Sequence, residues 1–256
     1  MTQKSEQTIL IVDNLSPYTN DIANCVMKLG VRFRVKSSHS LANANFCNQG
    51  TRYGSQFVAI TTGLIATEAD YNQPQDISMA DMPNQRLVID LNGSNSKTSM
   101  TGHADNVQNN GRIFIDKVIL SGRRANDPKI NATNSRIIKE CLRLDVPLLG
   151  ICYGAEILAL TLGGTIKRMQ RGIQENVPIT VSKSSPLISS DANPIFYESH
   201  KYFVSRLPNG FESLASSIYC EHEIFSFKRL FGTQFHPEKS GIDGLSLLSN
   251  FIGIGM

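Results

Sequence analysis

The chain has 256 residues, enough to bury a full core in one α/β domain with an elaboration. Lys and Arg (25) against Asp and Glu (22) leave a net charge of +3, and the basic residues are scattered along the sequence, which argues against nucleic acid or an anionic membrane as the main partner. The opening MTQKSEQ lacks the apolar stretch of a secretory signal and no apolar run is long enough to span a bilayer, so a cytoplasmic protein is expected.

In chain order, Thr8 to Asp13 reads as a buried strand, followed by a turn over Asn14 to Pro17. A helix is expected from about Tyr18 to Leu29, because Ile22, Val26 and Leu29 recur at helical spacing and Gly30 follows as a terminator. Val31 to Lys36 forms a second strand. From about 41 to 111 the rhythm is lost. Phe57 to Ala66 and Gln85 to Leu91 could each form an element, but the rest is rich in Asn, Ser, Gly and Gln, and simple α/β connections need only about 2 to 6 residues. This stretch reads as an insertion, either a tolerated surface segment or a lid or docking surface.

The rhythm resumes with a strand at Asp116 to Ser121, a helix at Asn134 to Leu144, a short apolar strand at Pro147 to Ile151 and a helix at Ala155 to Leu162. Strands alternating with helices imply a doubly wound, mostly parallel sheet covered on both faces. Residues 164 to 235 then turn strand-rich, with turn signals at Pro186, Pro194 and Pro208-Asn209-Gly210, and a helix over Gly241 to Ile252 ends the domain.

Five cysteines, an odd number without framework spacing, fit free thiols in a reducing compartment. Cys25 and Cys141 fall on the apolar stripes of helices, as small core residues do. Cys220 and His222 are a lone Cys-x-His without a second pair, and Cys47 lies in a polar stretch, so no metal centre is expected.

Cys152 differs from these four. In Leu-Leu-Gly-Ile-Cys-Tyr-Gly-Ala-Glu, residues 148 to 156, an apolar strand ends at the cysteine, small residues at 150 and 154 permit a sharp corner, and a helix begins at once. Such a corner sets a thiol at the carboxyl end of the sheet, where the helix amino terminus favours the thiolate and offers amides to an oxyanion. A thiolate nucleophile needs a base with its own orienting partner. His236 and Glu238 supply one: they follow a strand and, two residues apart on extended backbone, face the same side.

Gly-Ile-Cys-Tyr-Gly at 150 to 154 with Leu162-Gly163-Gly164 resembles the nucleophile motif of class I, triad-type glutamine amidotransferases, and Gln-Phe-His-Pro-Glu at 234 to 238 resembles their His-x-Glu motif. Ser199-His200 followed by Leu207-Pro208-Asn209-Gly210-Phe211 is similar to a stretch of the glutaminase domain of GMP synthase. The resemblance covers residues 8 to 36 and 116 to 252 and implies a flavodoxin-like domain over 8 to 252, interrupted by the insertion. It implies that Cys152 attacks the carboxamide of L-glutamine, that His236 and Glu238 complete the triad, and that Tyr153, Gly122 and Arg123 supply the oxyanion hole. It also implies that Gly154, Glu156, Ser199 and His200 hold substrate, with no cofactor. The ATP-pyrophosphatase loop of GMP synthase, Ser-Gly-Gly-x-Asp-Ser, does not occur in the chain, so an ATP-dependent synthetase would be a separate subunit.

The chain departs from the family pattern at Ser121-Gly122-Arg123-Arg124, where the family reads Ser-Gly-Gly-Pro, at Glu156 in place of Gln, and at Ala155 in place of a frequent His. The run at 236 to 240 also resembles the glutaminase of imidazole glycerol phosphate synthase. A γ-glutamyl hydrolase or peptidase, and a catalytically degenerate regulatory subunit, are the alternatives from other functional classes.

Overall fold

The computed structural model describes residues 7–48, 86–90, 112–124, 126–191 and 193–255. Among them the apolar runs become strands of one eight-stranded sheet. Strand β1 (Thr8–Asp13) is followed by helix α1 (Thr19–Lys28) and β2 (Arg32–Ser37). Two described stretches of the expected insertion form β3 (Asn45–Asn48) and β4 (Leu87–Asp90), which pair with β5 (Arg112–Ile115), just past it, in a separate antiparallel sheet. Next come β6 (Lys117–Leu120), α2 (Pro128–Arg143), β7 (Leu148–Ile151) and α3 (Tyr153–Thr161). The strand-rich part supplies β8 (Thr165–Pro178), β9 (Thr180–Val181), β10 (Ile195–Arg206), β11 (Glu212–Ser216), β12 (Ile224–Phe227) and β13 (Leu230–Thr233), before α4 (Gly241–Gly253).

The main sheet runs β2-β1-β6-β7-β13-β12-β11-β9. Pairing is parallel from β2 to β13 and antiparallel from β13 to β9, so the parallel half carries the doubly wound helices and the strand-rich segment extends the edge. Strand alternation divides the core in two. Leu10, Val12, Val118, Leu120 and Leu148 face α2 and α3 on one side; Ile9, Ile11, Ile119, Leu149 and Ile151 face α1 and α4 on the other. Strands buried on both faces leave no polar alternation, which explains the continuous apolar runs.

Helix α2 begins six residues before the expected Asn134. Asp127 caps it, accepting from the Lys129 amide at 2.8 Å, and Pro128 occupies the first turn; this Asp-Pro signature outweighs the polar residues that masked the helix's amino-terminal turns. The element expected at Gln85 to Leu91 is β4, whereas that expected at Phe57 to Ala66 lies outside the described residues. Leu41, Ala44, Leu87, Ile89 and Ile115 join the core on the α2 side, and Arg136 of α2 donates to the carbonyls of Ala42 and Ala44. The described ends of the insertion are therefore packed into the domain.

The basic residues are less scattered in space than along the chain. Alternation puts Arg32, Arg34 and Lys36 on one face of β2, and with Arg86 and Arg112 they line a concavity of about 590 Å³. Asp116 pairs with Arg86 at 2.7 Å and Asp90 with Arg112 at 3.5 Å.

Candidate active site

The corner between β7 and α3 is built by sterics. Cys152 sits between them with φ 52° and ψ −107°, a left-handed region that costs a non-glycine residue about 1–3 kcal/mol and persists only where its surroundings hold it. They do so here. The Cys152 amide donates to Thr233 O at 2.8 Å, and its carbonyl accepts from Ala155 and Glu156 as the first link of α3. A Cβ at residue 150 would lie 2.4 Å from Gly154 O, and one at 154 would lie 2.4 Å from Leu120 O, so both glycines are required by close backbone approach.

The His236 ring stands beside this corner. Its backbone amide donates to Tyr197 O at 2.8 Å, and Pro237–Lys239 then make a single 3-10 turn that brings Glu238 back beneath the ring. Nδ1 is 2.8 Å from Glu238 Oε1, with both side chains buried, and the ring lines the same pocket as Cys152. Tyr18 meets the imidazole edge to face at 4.9 Å between centroids. Burial acts against a charged ring, but the Glu238 carboxylate and the Cys152 sulfur outweigh it and raise His236 well above its ordinary value.

For the thiol, burial is the largest influence and pushes Cys152 up, while His236 and the Tyr153 amide pull the other way. The expected pull of the helix terminus is present at the Tyr153 amide, but burial exceeds it, for Cys152 is only 7 % exposed, and the imidazole beside it adds to that pull.

Cys152, His236, Ser199 and Arg123 line one pocket of about 220 Å³, together with Arg124 and the Ser16-Pro17-Tyr18 turn after β1. Ser199 presents its carbonyl to the sulfur at 3.9 Å. A Cβ on Gly122 would stand 3.1 Å from His236 Cε1, so a side chain there would press on the ring. Arg123 has no left-handed backbone, which is why a side chain is accepted where the family pattern has glycine. Its guanidinium stacks on the Tyr153 ring at 3.8 Å and donates to Asn131 Oδ1, and the Tyr153 hydroxyl donates to the same oxygen at 2.8 Å.

Six sequence-derived positions lie outside the pocket lining, among them Glu238 beneath the His236 ring and Gly122 beside it. Tyr153 and Gly154 are turned into the α3 packing, which leaves only the Tyr153 amide toward the sulfur. Glu156 is buried, and burial raises its carboxyl against the opposing pull of Arg123 and His200. His200 points into the protein, because alternation along β10 puts it on the face opposite Ser199. Conversely, the sequence did not single out Ser16, Tyr18 or Arg124. The available signal was position: the turn after β1 lies at the carboxyl end of a strand neighbouring β6, as sites in open α/β sheets do.

A cysteine on a strained elbow, a buried histidine and its carboxylate partner thus stand together on a doubly wound sheet. The chain belongs to the class-I glutamine amidotransferase family, whose model matches residues 87–253. It is 38% identical over 113 residues to the GMP synthase [glutamine-hydrolyzing] of Ruminiclostridium cellulolyticum, covering 43% of this chain and 22% of that one. It is 37% identical over 123 residues to the A subunit of the GMP synthase [glutamine-hydrolyzing] of Methanoregula boonei, covering 46% and 66%. The chain thus spans about a fifth to a quarter of the length of the long GMP synthases it matches. Among solved structures, a protein of the GMP synthase A-subunit type from Thermoplasma acidophilum superposes with a TM-score of 0.63 at 19% identity, covering 97% of this chain and 93% of that one. A glutamine amidotransferase from Thermotoga maritima gives 0.54 at 15%, with 96% of each chain covered, and both likenesses bear on the fold. No described helix is long and apolar enough to cross a membrane.

Proposed function

We propose that this chain is a glutaminase subunit: it hydrolyses L-glutamine through a thioester on Cys152 and releases ammonia to a separate ATP-dependent synthetase of the GMP synthase type. The observation that supports this most is that Cys152 and His236 line one amino-acid-sized pocket while Glu238 hydrogen-bonds the ring from beneath. The family membership and the Methanoregula boonei relative, itself one subunit of a GMP synthase, support the choice of substrate and of a separate partner.

The chemistry follows from the pair of charges. His236 draws the thiol proton and the sulfur adds to the carboxamide carbon of glutamine, placing negative charge on the former carbonyl oxygen. Backbone N–H groups at Tyr153 and along Gly122-Arg123 are the donors for that oxygen. The imidazolium, held in orientation by Glu238, gives its proton to the departing nitrogen, and ammonia leaves. Water, deprotonated by the same ring, then opens the thioester to glutamate.

The test is glutamine hydrolysis by the isolated chain and in the presence of candidate synthetases, beside Cys152→Ala and covalent labelling by a glutamine-analogue electrophile. Release of ammonia that disappears in the variant is the expected result. Turnover confined to γ-glutamyl peptides, or a thiol that the electrophile does not label, would overturn the proposal.

A further inference from the structure

Behind the pocket wall lies a second histidine–carboxylate group that glutamine hydrolysis does not use. Glu198 and His200 stand on either side of Ser199 and share the inner face of β10, with side chains 0% and 1% exposed. His200 Nε2 is hydrogen-bonded to Glu198 Oε2, and Nδ1 lies 2.7 Å from the Tyr202 carbonyl, across a bulge in the β10–β8 pairing. Glu223, immediately before β12 and also 0% exposed, brings a second carboxyl whose Oε1 accepts from the Ser217 hydroxyl at 2.6 Å. One oxygen of each acid, Glu198 Oε1 and Glu223 Oε2, is left without a partner although fully enclosed.

Proton counting resolves this arrangement. A carbonyl only accepts, so Nδ1 of His200 carries a proton toward Tyr202. A second proton occupies the gap between Nε2 and Oε2, whichever atom holds it. A third, between the two carboxyls, gives both orphaned oxygens a partner at once. With these three protons the chain from Tyr202 O to Ser217 has a donor for every acceptor and no net charge. Without the third, the cluster carries a net negative charge in the interior with two acceptor oxygens unpaired, a costly state. Of the other titratable groups acting on this cluster, Glu175 from β8, Glu156 from α3 and Tyr219, Cys220 and Glu221 from the β11–β12 loop bring no positive charge, while the His236 ring does and pulls Glu198 down against the larger effect of burial.

We propose that Glu198, His200 and Glu223 form an uncharged proton-sharing clamp that fixes the residues on both sides of Ser199, making the two acids positioning residues for the wall of the substrate pocket. The positioning role rests on the glutaminase reading, because it matters through Ser199, whose carbonyl faces the Cys152 sulfur. Burial, reinforced for Glu223 by the neighbouring acid, raises Glu198 to about 7 and Glu223 to about 9. A folded-state value above the unfolded one means that this stabilisation is complete below about 4.5 and is lost as pH rises through about 9.

Glu223→Gln and Glu223→Ala, followed by thermal unfolding and glutamine kinetics across pH, test the proposal. The wild type should lose thermal stability from about pH 4.5 to about pH 9, and Glu223→Gln should flatten that decline, since its amide donates to Glu198 at any pH and still accepts from Ser217. Glu223→Ala should raise KM for glutamine about tenfold with kcat within about threefold, and Glu223→Gln should restore KM. The clamp is refuted if Glu223→Gln declines with pH as the wild type does, or if Glu223→Ala melts early yet leaves KM unchanged. A wild type that neither hydrolyses glutamine nor takes the electrophile refutes the glutaminase reading and the positioning role, while the melting profiles still decide whether the proton is shared.

Discussion

The two histidine–glutamate pairs of this protein share the same sequence spacing and nearly the same burial, yet they titrate in opposite directions. His236 and Glu238 lie two residues apart with Nδ1 on the carboxylate, and the ring is raised well above its ordinary value. His200 and Glu198 also lie two residues apart, with Nε2 on the carboxylate, and burial lowers the ring. The difference lies in what else stands near the ring. For His236 it is a sulfur that can become an anion in the same pocket; for His200 it is a neutral carbonyl inside the protein. A shared pair therefore becomes a proton-transfer device in one setting and a structural hydrogen-bond chain in the other.

The sharpest way to break the comparison is to remove the sulfur. Cys152→Ser should abolish glutamine hydrolysis, a loss on the order of 10⁴-fold or more in kcat, with the melting temperature nearly unchanged; the ammonia assay reads this directly. Glu238→Gln should cost about 10²-fold in kcat/KM, because the ring keeps its position but loses the carboxylate that holds its proton. Since Glu238 raises His236, its removal should also move the alkaline limb of the kcat/KM profile to lower pH, which a pH series checks.

His200→Ala belongs to the other arm of the comparison and should act mainly on stability. It strands a buried carboxyl and the Tyr202 carbonyl, at about 2–3 kcal/mol, measurable by denaturant unfolding, while the rate of Cys152 labelling falls far less than in Glu238→Gln. The smallest effect is expected at Arg123→Ala, which removes the guanidinium from the Tyr153 face and from Asn131 and should cost about 1 kcal/mol of stability.

The chain's own order made much of the fold legible. Continuous apolar runs at β1, β6 and β7 marked parallel strands buried on both faces, and Gly150 and Gly154 marked the elbow, because both are local consequences of side-chain size and polarity. The spacing of His236 and Glu238 likewise placed both groups in reach of each other. Less could be read where partners are distant in sequence. Helix α2 was foreshortened, although Asp127-Pro128 announced its start. His200 was assigned to the pocket beside Ser199, yet only the pairing of β10 with β8 decides which of two neighbouring residues faces the thiol.

Sequence alone thus determined which groups can react and which corners can bend, since those follow from composition and short-range sterics. Tertiary structure decided the charges. It buried Cys152 so that its ionisation depends on His236 as well as on its helix, and it brought Glu223, just before β12, into interaction with Glu198 of β10. Proton affinity is a property of what surrounds a group, and those surroundings exist only once the strands have paired.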